Sequence, residues 1–181
     1  MDASIPTSLL VNLLKQGCPG ISQATGHHLS EAVLVCFDHH NYPTNTKISL
    51  DGITKGSFEV IWSDEVTDQI RNSWQEPKEM VNYGACGIAI LIVLTFTKYT
   101  VIRQARIGTG IDYWLSEKDN PLPFQDSARL EISGILKGDT TTFNSRVRQK
   151  INQTEPTDKT KLPAYIVVVE FSTPMAKMVK K

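Results

Sequence analysis

Residues 108–115 read GTGIDYWL and residues 128–136 read ARLEISGIL. Both are short spans of alternating side chains bounded by glycine or turn residues, the pattern of strands with one face buried. Each carries an acid in its middle, Asp112 and Glu131. Asp is depleted from strands because its short side chain competes for backbone hydrogen bonds. Alternation predicts Ile111, Tyr113 and Leu115 on one face, with Asp112 and Trp114 on the other. In the second span Leu130, Ile132 and Leu136 share the core face, and Arg129, Glu131, Ser133 and Ile135 take the opposite one. Paired as a hairpin, the two strands bring Asp112 and Glu131 together. Convergent carboxylates repel, and one stays protonated unless a cation is shared. Mg²⁺ suits such a pair, being a hard ion held by one or two carboxylates plus water and phosphate oxygens. The competing reading is two solvated acids on an exposed face, and spacing alone favours that one.

Outward from this pair the chain reads as follows. Residues 76–96 predict a long helix with Pro77 in its first turn, polar early and wholly apolar late. A strand over 88–96 competes, because β-branched residues are common there. Residues 99–107 predict a strand, then 111–115, then a polar loop SEKDNPLPFQDS (116–127), then 128–136. TTFNSRVRQKINQ (141–153) predicts a helix with Thr at its cap, and PAYIVVVEF (163–171) a strand buried on both faces. Before residue 76 the signals are weaker. A short helix is expected over 7–16, a strand over 31–37, strand pieces in ISLDG and SFEVIW, and a helix ending at Trp74 with Ser63 or Asp64 as its cap. Residues after Pro174 read as a frayed Lys-rich tail. The division expected is an N-terminal extension 1–75 packed on a core 76–174, with a flexible basic tail 175–181.

The 181 residues suit one domain, or one domain with an extension. Formal net charge is zero. That argues against coating nucleic acid by bulk attraction, but a nuclease can gather its basic groups on one face. RVRQK (146–150) is the one local basic cluster. Cys18, Cys36 and Cys86 are odd in number and form no CxxC pair, which fits a reducing cytoplasm. The apolar run 87–96 is too short to span a bilayer, so no membrane partner is expected.

The order helix, three strands, helix, strand, with its acids on the second and third strands, resembles the PD-(D/E)xK nuclease superfamily, the restriction-endonuclease-like fold. The resemblance covers about residues 76–171. It implies an α/β (α+β) core, with Asp112 and Glu131 as metal ligands for Mg²⁺ or Mn²⁺. Glu79 on the first helix joins the catalytic set, with Glu76 as its substitute. Where the family has Lys, this chain has Ser133. A basic group from a neighbouring element then has to replace it; among Lys137, Arg146, Arg148, Gln149 and Lys150, it is Lys150 that joins the catalytic set with Ser133. Trp114, Arg129, Arg146, Arg148 and Gln149 are the expected nucleic-acid contacts. The implied function is a Mg²⁺-dependent DNA endonuclease of the kind found in prokaryotic defence or mobile-element systems. The alternative is a catalytically degenerate member acting as a binding subunit for a protein partner.

Other constellations are weaker. FDHHNYP (37–43) resembles the motif of the DHH phosphoesterases, which bind Mn²⁺. Those enzymes need earlier aspartates and a longer chain, and here only Asp2 and Glu31 precede Asp38. His27, His28, His39 and His40 make a second metal option, against a simpler reading as loop histidines. Cys86, in an apolar helix without an adjacent base, reads as core. The glycines of GTG lack a following Lys-Ser/Thr and helix, so they read as a strand bend rather than a phosphate loop.

Overall fold

A twenty-residue helix, α4 (Pro77–Phe96), organises the packing. Glu76 caps it by accepting a hydrogen bond from the Lys78 N–H at 3.1 Å. Its second half is apolar all round because it is enclosed, with α2 (Gln23–Asp38) on one side and a sheet on the other. By length and composition α4 passes as a membrane span, yet most of it is buried inside the fold. The same two-sided burial resolves the strand alternative for residues 88–96 in favour of helix. The computed structural model describes residues 7–120 and 125–181, so part of the expected loop 116–127 lies outside the described residues, as does Asp2.

After α4 come β4 (Tyr99–Gln104), β5 (Tyr113–Glu117) and β6 (Ala128–Ile135), an antiparallel meander. Then α5 (Thr140–Gln153) crosses to β7 (Ala164–Glu170), which pairs parallel with β6. The cap of α5 is Asp139, which accepts from the Thr142 N–H at 2.7 Å, rather than a threonine. Helix α5 covers the face opposite α4. Phe143 and Val147 pack there on Ile135, Ala164, Ile166 and Val168, while Tyr165, Val167 and Val169 face the α4 side. All seven residues of β7 are buried, as its unbroken apolar run predicts.

The N-terminal region differs from expectation in three places. Only Asn12–Gln16 is helical (α1), and Ser8–Leu10 is a strand (β1) paired parallel with β3 (Gly56–Ile61). Residues 31–37 are not a strand but the second half of α2, whose cap Ser22 accepts from the Thr25 N–H. Nine residues of α2 are buried, so its apolar run carries no strand-like alternation. The last helix here, α3 (Asp68–Ser73), is capped by Thr67 rather than Ser63 or Asp64. The two expected strand pieces are β2 (Thr46–Gly52) and β3, which pair antiparallel.

The expected flexible tail is also corrected. Met175–Lys180 is β8, antiparallel to β7 and parallel to β2. It joins both halves of the chain into one eight-stranded mixed sheet, ordered β1-β3-β2-β8-β7-β6-β5-β4. Ala176 and Met178 point into the main core, which explains why a lysine-bearing segment is ordered.

Candidate functional site

The ladder between β5 and β6 is short. Its register runs Leu115↔Ala128, Trp114↔Arg129, Tyr113↔Leu130 and then stops, while β6 continues to Ile135. From Glu131 onward the sheet is open on that side. Asp112 stands at the opening. Its N–H donates to the Leu130 carbonyl (2.9 Å) and its carbonyl accepts from the Ala105 N–H (2.8 Å). Its carboxylate Oδ2 then accepts from the Ile132 N–H at 2.7 Å. The side chain thus satisfies a donor that the missing strand would have satisfied. This is why an acid is tolerated there: Asp112 precedes β5 instead of lying in its middle.

Glu131 follows on the same side of the sheet and is fully buried. Lys150 reaches it from α5, with Nζ donating to Oε1 at 2.6 Å. One turn earlier on α5, Arg146 donates to Ser133 Oγ at 2.9 Å. Arg146 and Lys150 are four residues apart and share one flank of the helix, beside the inward Phe143 and Val147. Two cations of α5 therefore reach the β6 side chains Glu131 and Ser133. Gly110, with φ +72°, brings the β4–β5 loop against the end of α5, where a Cβ would overlap the Gln153 carbonyl. Gly134 lets α4 approach β6, since a Cβ there would overlap the Val81 carbonyl. Gly110 thus lets another backbone come close, as the strand-bend reading of the glycines anticipated, whereas Gly134 acts on the α4 face of the sheet, away from Glu131.

The electrostatics follow from burial. Asp112 is held above the usual carboxylate range, first by burial, against the pull of the Ile132 N–H and Lys150. Glu131 is pushed up to about 8, first by burial and next by the charge of Asp112, with Lys150 opposing. Between the ordinary pKa of about 4.3 and about 8, the native chain keeps a proton that the unfolded chain has lost. Folded protein then binds more protons than unfolded, so stability falls as pH rises through that window. Glu131→Gln is accordingly expected to melt several degrees above the parent at pH 8 without metal, with the gap closing near pH 4. Calorimetry across pH checks this, and a variant less stable than the parent at pH 8 contradicts the assignment.

Several expected site residues lie elsewhere. Arg129 is buried, and its guanidinium donates to the carbonyls of Leu162 and Thr154, to Thr157 Oγ1 and to Asp158. It is a structural latch, unavailable to nucleic acid. Trp114 is also buried, packed with Ile102 and Ile111 on the face away from α4, and the Arg103 guanidinium sits 5.0 Å from its ring. No face of it is free for a base. Arg148 lines the other flank of α5, beside Asn144 and Lys177 of β8, because two helical residues turn the side chain through about 200°. Gln149 is exposed at the rim near Lys150. Glu79 is exposed in the first turn of α4, on the same stripe as Asn82 and Cys86, and has no contact with Asp112. Glu76 is occupied as the α4 cap.

Cys86 is core, as expected; burial pushes its thiol up to about 12. His27 and His28 lie on α2 rather than in a loop, and His40 bonds the Leu136 carbonyl at 2.8 Å. Among the described residues no three His, Cys, Asp or Glu side chains gather to hold a metal, which removes the histidine option there. The sequence reading missed Ile132 N–H as the partner of Asp112, and no periodicity signals it. It placed Lys150 in the catalytic set, and the phase of α5 separates that residue from Arg148. Compared with protein-family models, curated proteins and solved structures, the chain has no match.

Proposed function

We propose that this chain is a divalent-metal-dependent phosphodiester hydrolase acting on DNA, built on a restriction-endonuclease-like core. The observation that carries the reading is the convergence of Asp112, Glu131 and Lys150 at the open edge between β5 and β6. The element order supports it, with a helix on each face of a meander whose last strand pairs parallel with the strand after the crossover. The donor set fits Mg²⁺ or Mn²⁺: a buried and a partly buried carboxylate whose mutual repulsion a cation relieves, with the remaining positions left to water and phosphate. A bound ion would lower the pKa of its water and clamp the scissile phosphate. Asp112 and Glu131 would hold it, and the Ile132 N–H fixes the direction of the Asp112 carboxylate. Lys150 Nζ supplies positive charge beside Glu131 for the attacking oxygen or the phosphate. Arg146, steadied by Ser133, adds a second cation on the same flank. Three free cysteines, two of them buried, support a cytoplasmic setting.

The test is nicking of supercoiled plasmid with Mg²⁺ or Mn²⁺, with EDTA and Glu131→Ala as controls, alongside a thermal-shift titration. Expected are metal-dependent nicks that Glu131→Ala abolishes, and a rise in Tm with metal that Asp112→Asn removes. Nicking that survives Glu131→Ala sinks the site. Absence of both nicking and shift favours the second reading, a degenerate interaction subunit. One observation supports that alternative: both acids already have protein partners, Ile132 N–H and Lys150.

A further inference from the structure

On the other side of Asp112 a cleft of about 490 Å³ opens between α2, α4 and the β4–β5 pair. It is lined by Thr25, His28, Tyr83, Gln104 and Tyr113. Tyr113 follows Asp112 directly but points to the α4 face. The cleft and the carboxylates therefore lie on opposite faces of the sheet and meet at the open edge where the β5–β6 ladder ends. Tyr83 projects from α4 and is 37% exposed. Its ring meets His28 edge-on at 4.7 Å, and Trp74 stands behind both, 4.6 Å from His28 and 6.0 Å from Tyr83. Trp74 is itself fixed by donating its indole N–H to Glu31. The outermost rings are thus rigidly backed and face solvent. The Gln104 amide, exposed across the cleft, has no hydrogen-bond partner among the described residues and offers both a donor and an acceptor. Lys150 and Arg146 lie beyond the carboxylates.

We propose that this cleft is the subsite for an unstacked nucleobase next to the phosphate held at Asp112 and Glu131, so that the substrate is single-stranded or locally unpaired DNA. The inference rests on the hydrolase reading. Every base has a π-face, so stacking on Tyr83 and His28 gives affinity without sequence choice. A base inside an intact duplex has no free face to offer the rings. The near-zero net charge agrees with a protein that grips DNA through rings and a few local cations instead of a broad basic surface.

The experiment titrates a fluorescein-labelled single-stranded oligonucleotide, and the same sequence as duplex, in EDTA so that binding is read without cutting. The parent is expected to prefer the single strand. Tyr83→Ala should weaken that binding about tenfold while leaving duplex affinity unchanged, Tyr83→Trp should retain it, and Gln104→Ala should weaken it less. Because Gln104 is exposed and Tyr83→Trp keeps a ring in the cluster, these two variants read the cleft even where Tyr83→Ala disturbs folding. A parent that binds both forms equally, or single-strand binding indifferent to all three variants, overturns the inference. Metal-dependent nicking that persists in that case leaves the hydrolase reading standing. Tyr83-dependent strand binding without any nicking has the reverse meaning, sinking the hydrolase and keeping the base site.

Discussion

Exchanging Lys150 for methionine is expected to slow metal-dependent nicking several hundredfold and to make the fold sensitive to alkali. Methionine keeps most of the stem that lies along α5, so packing changes little. The charge beside Glu131 is what disappears. Loss of one positioned electrostatic contact to a developing oxyanion costs roughly 3–4 kcal/mol in the barrier. Stability responds separately. Glu131 is buried and already shares its surroundings with Asp112. Removing one partner of a buried ion pair costs about 3–5 kcal/mol when the other stays charged. Near pH 5 Glu131 keeps its proton and most of that cost is absent; toward pH 9 it must ionise beside Asp112 and the cost appears. The Tm difference between parent and Lys150→Met therefore widens with rising pH. Adding Glu131→Gln to the variant should recover stability without recovering nicking. A Lys150→Met protein that nicks at the parental rate would reduce Lys150 to a structural counter-ion.

The second large effect is structural. Arg129→Met is expected to cost about 4 kcal/mol, the range for breaking a buried charged network, and to lower Tm by roughly 10 °C. The guanidinium holds the carbonyls of Leu162 and Thr154 and the hydroxyl of Thr157, and methionine leaves these buried acceptors unsatisfied. Asp158 loses less, because it is partly exposed and Lys181 remains beside it at 2.7 Å. The 3₁₀ turn Glu155–Thr160, which this arginine ties to β6, should lose its protection from hydrogen exchange first. Reduced DNA binding at unchanged Tm would return Arg129 to the ligand surface and refute the latch.

The acids were legible because strand alternation has a period of two and leaves little freedom once the strands are found. That alternation placed Glu131 and Ser133 correctly opposite Leu130 and Ile132. It misplaced Ile111, which packs with Trp114 because the strand begins only at Tyr113. Residues 31–37 were not legible as helix, because a segment buried on nearly every side shows no period at all. Arg129 looked like a surface cation since its partners lie some thirty residues downstream, in a turn with no pattern of its own. Lys150 was legible as the α5 cation that meets Glu131. Phe143 and Val147 fix the inward face of α5, and only Arg146 and Lys150 flank it toward β6.

The position of β8 also sets the order in which the molecule can assemble. The β2–β3 hairpin is encoded early, yet the neighbour that ties it to β7 is Met175–Lys180, with Ser49 pairing to Met175 across most of the chain. Loops of that length close slowly, and their entropy is spent before the contacts return it. During synthesis the β2–β3 hairpin is therefore made long before β8, the strand that joins it to β7. The interval before that join is when the free edge of β2 can pair with another chain.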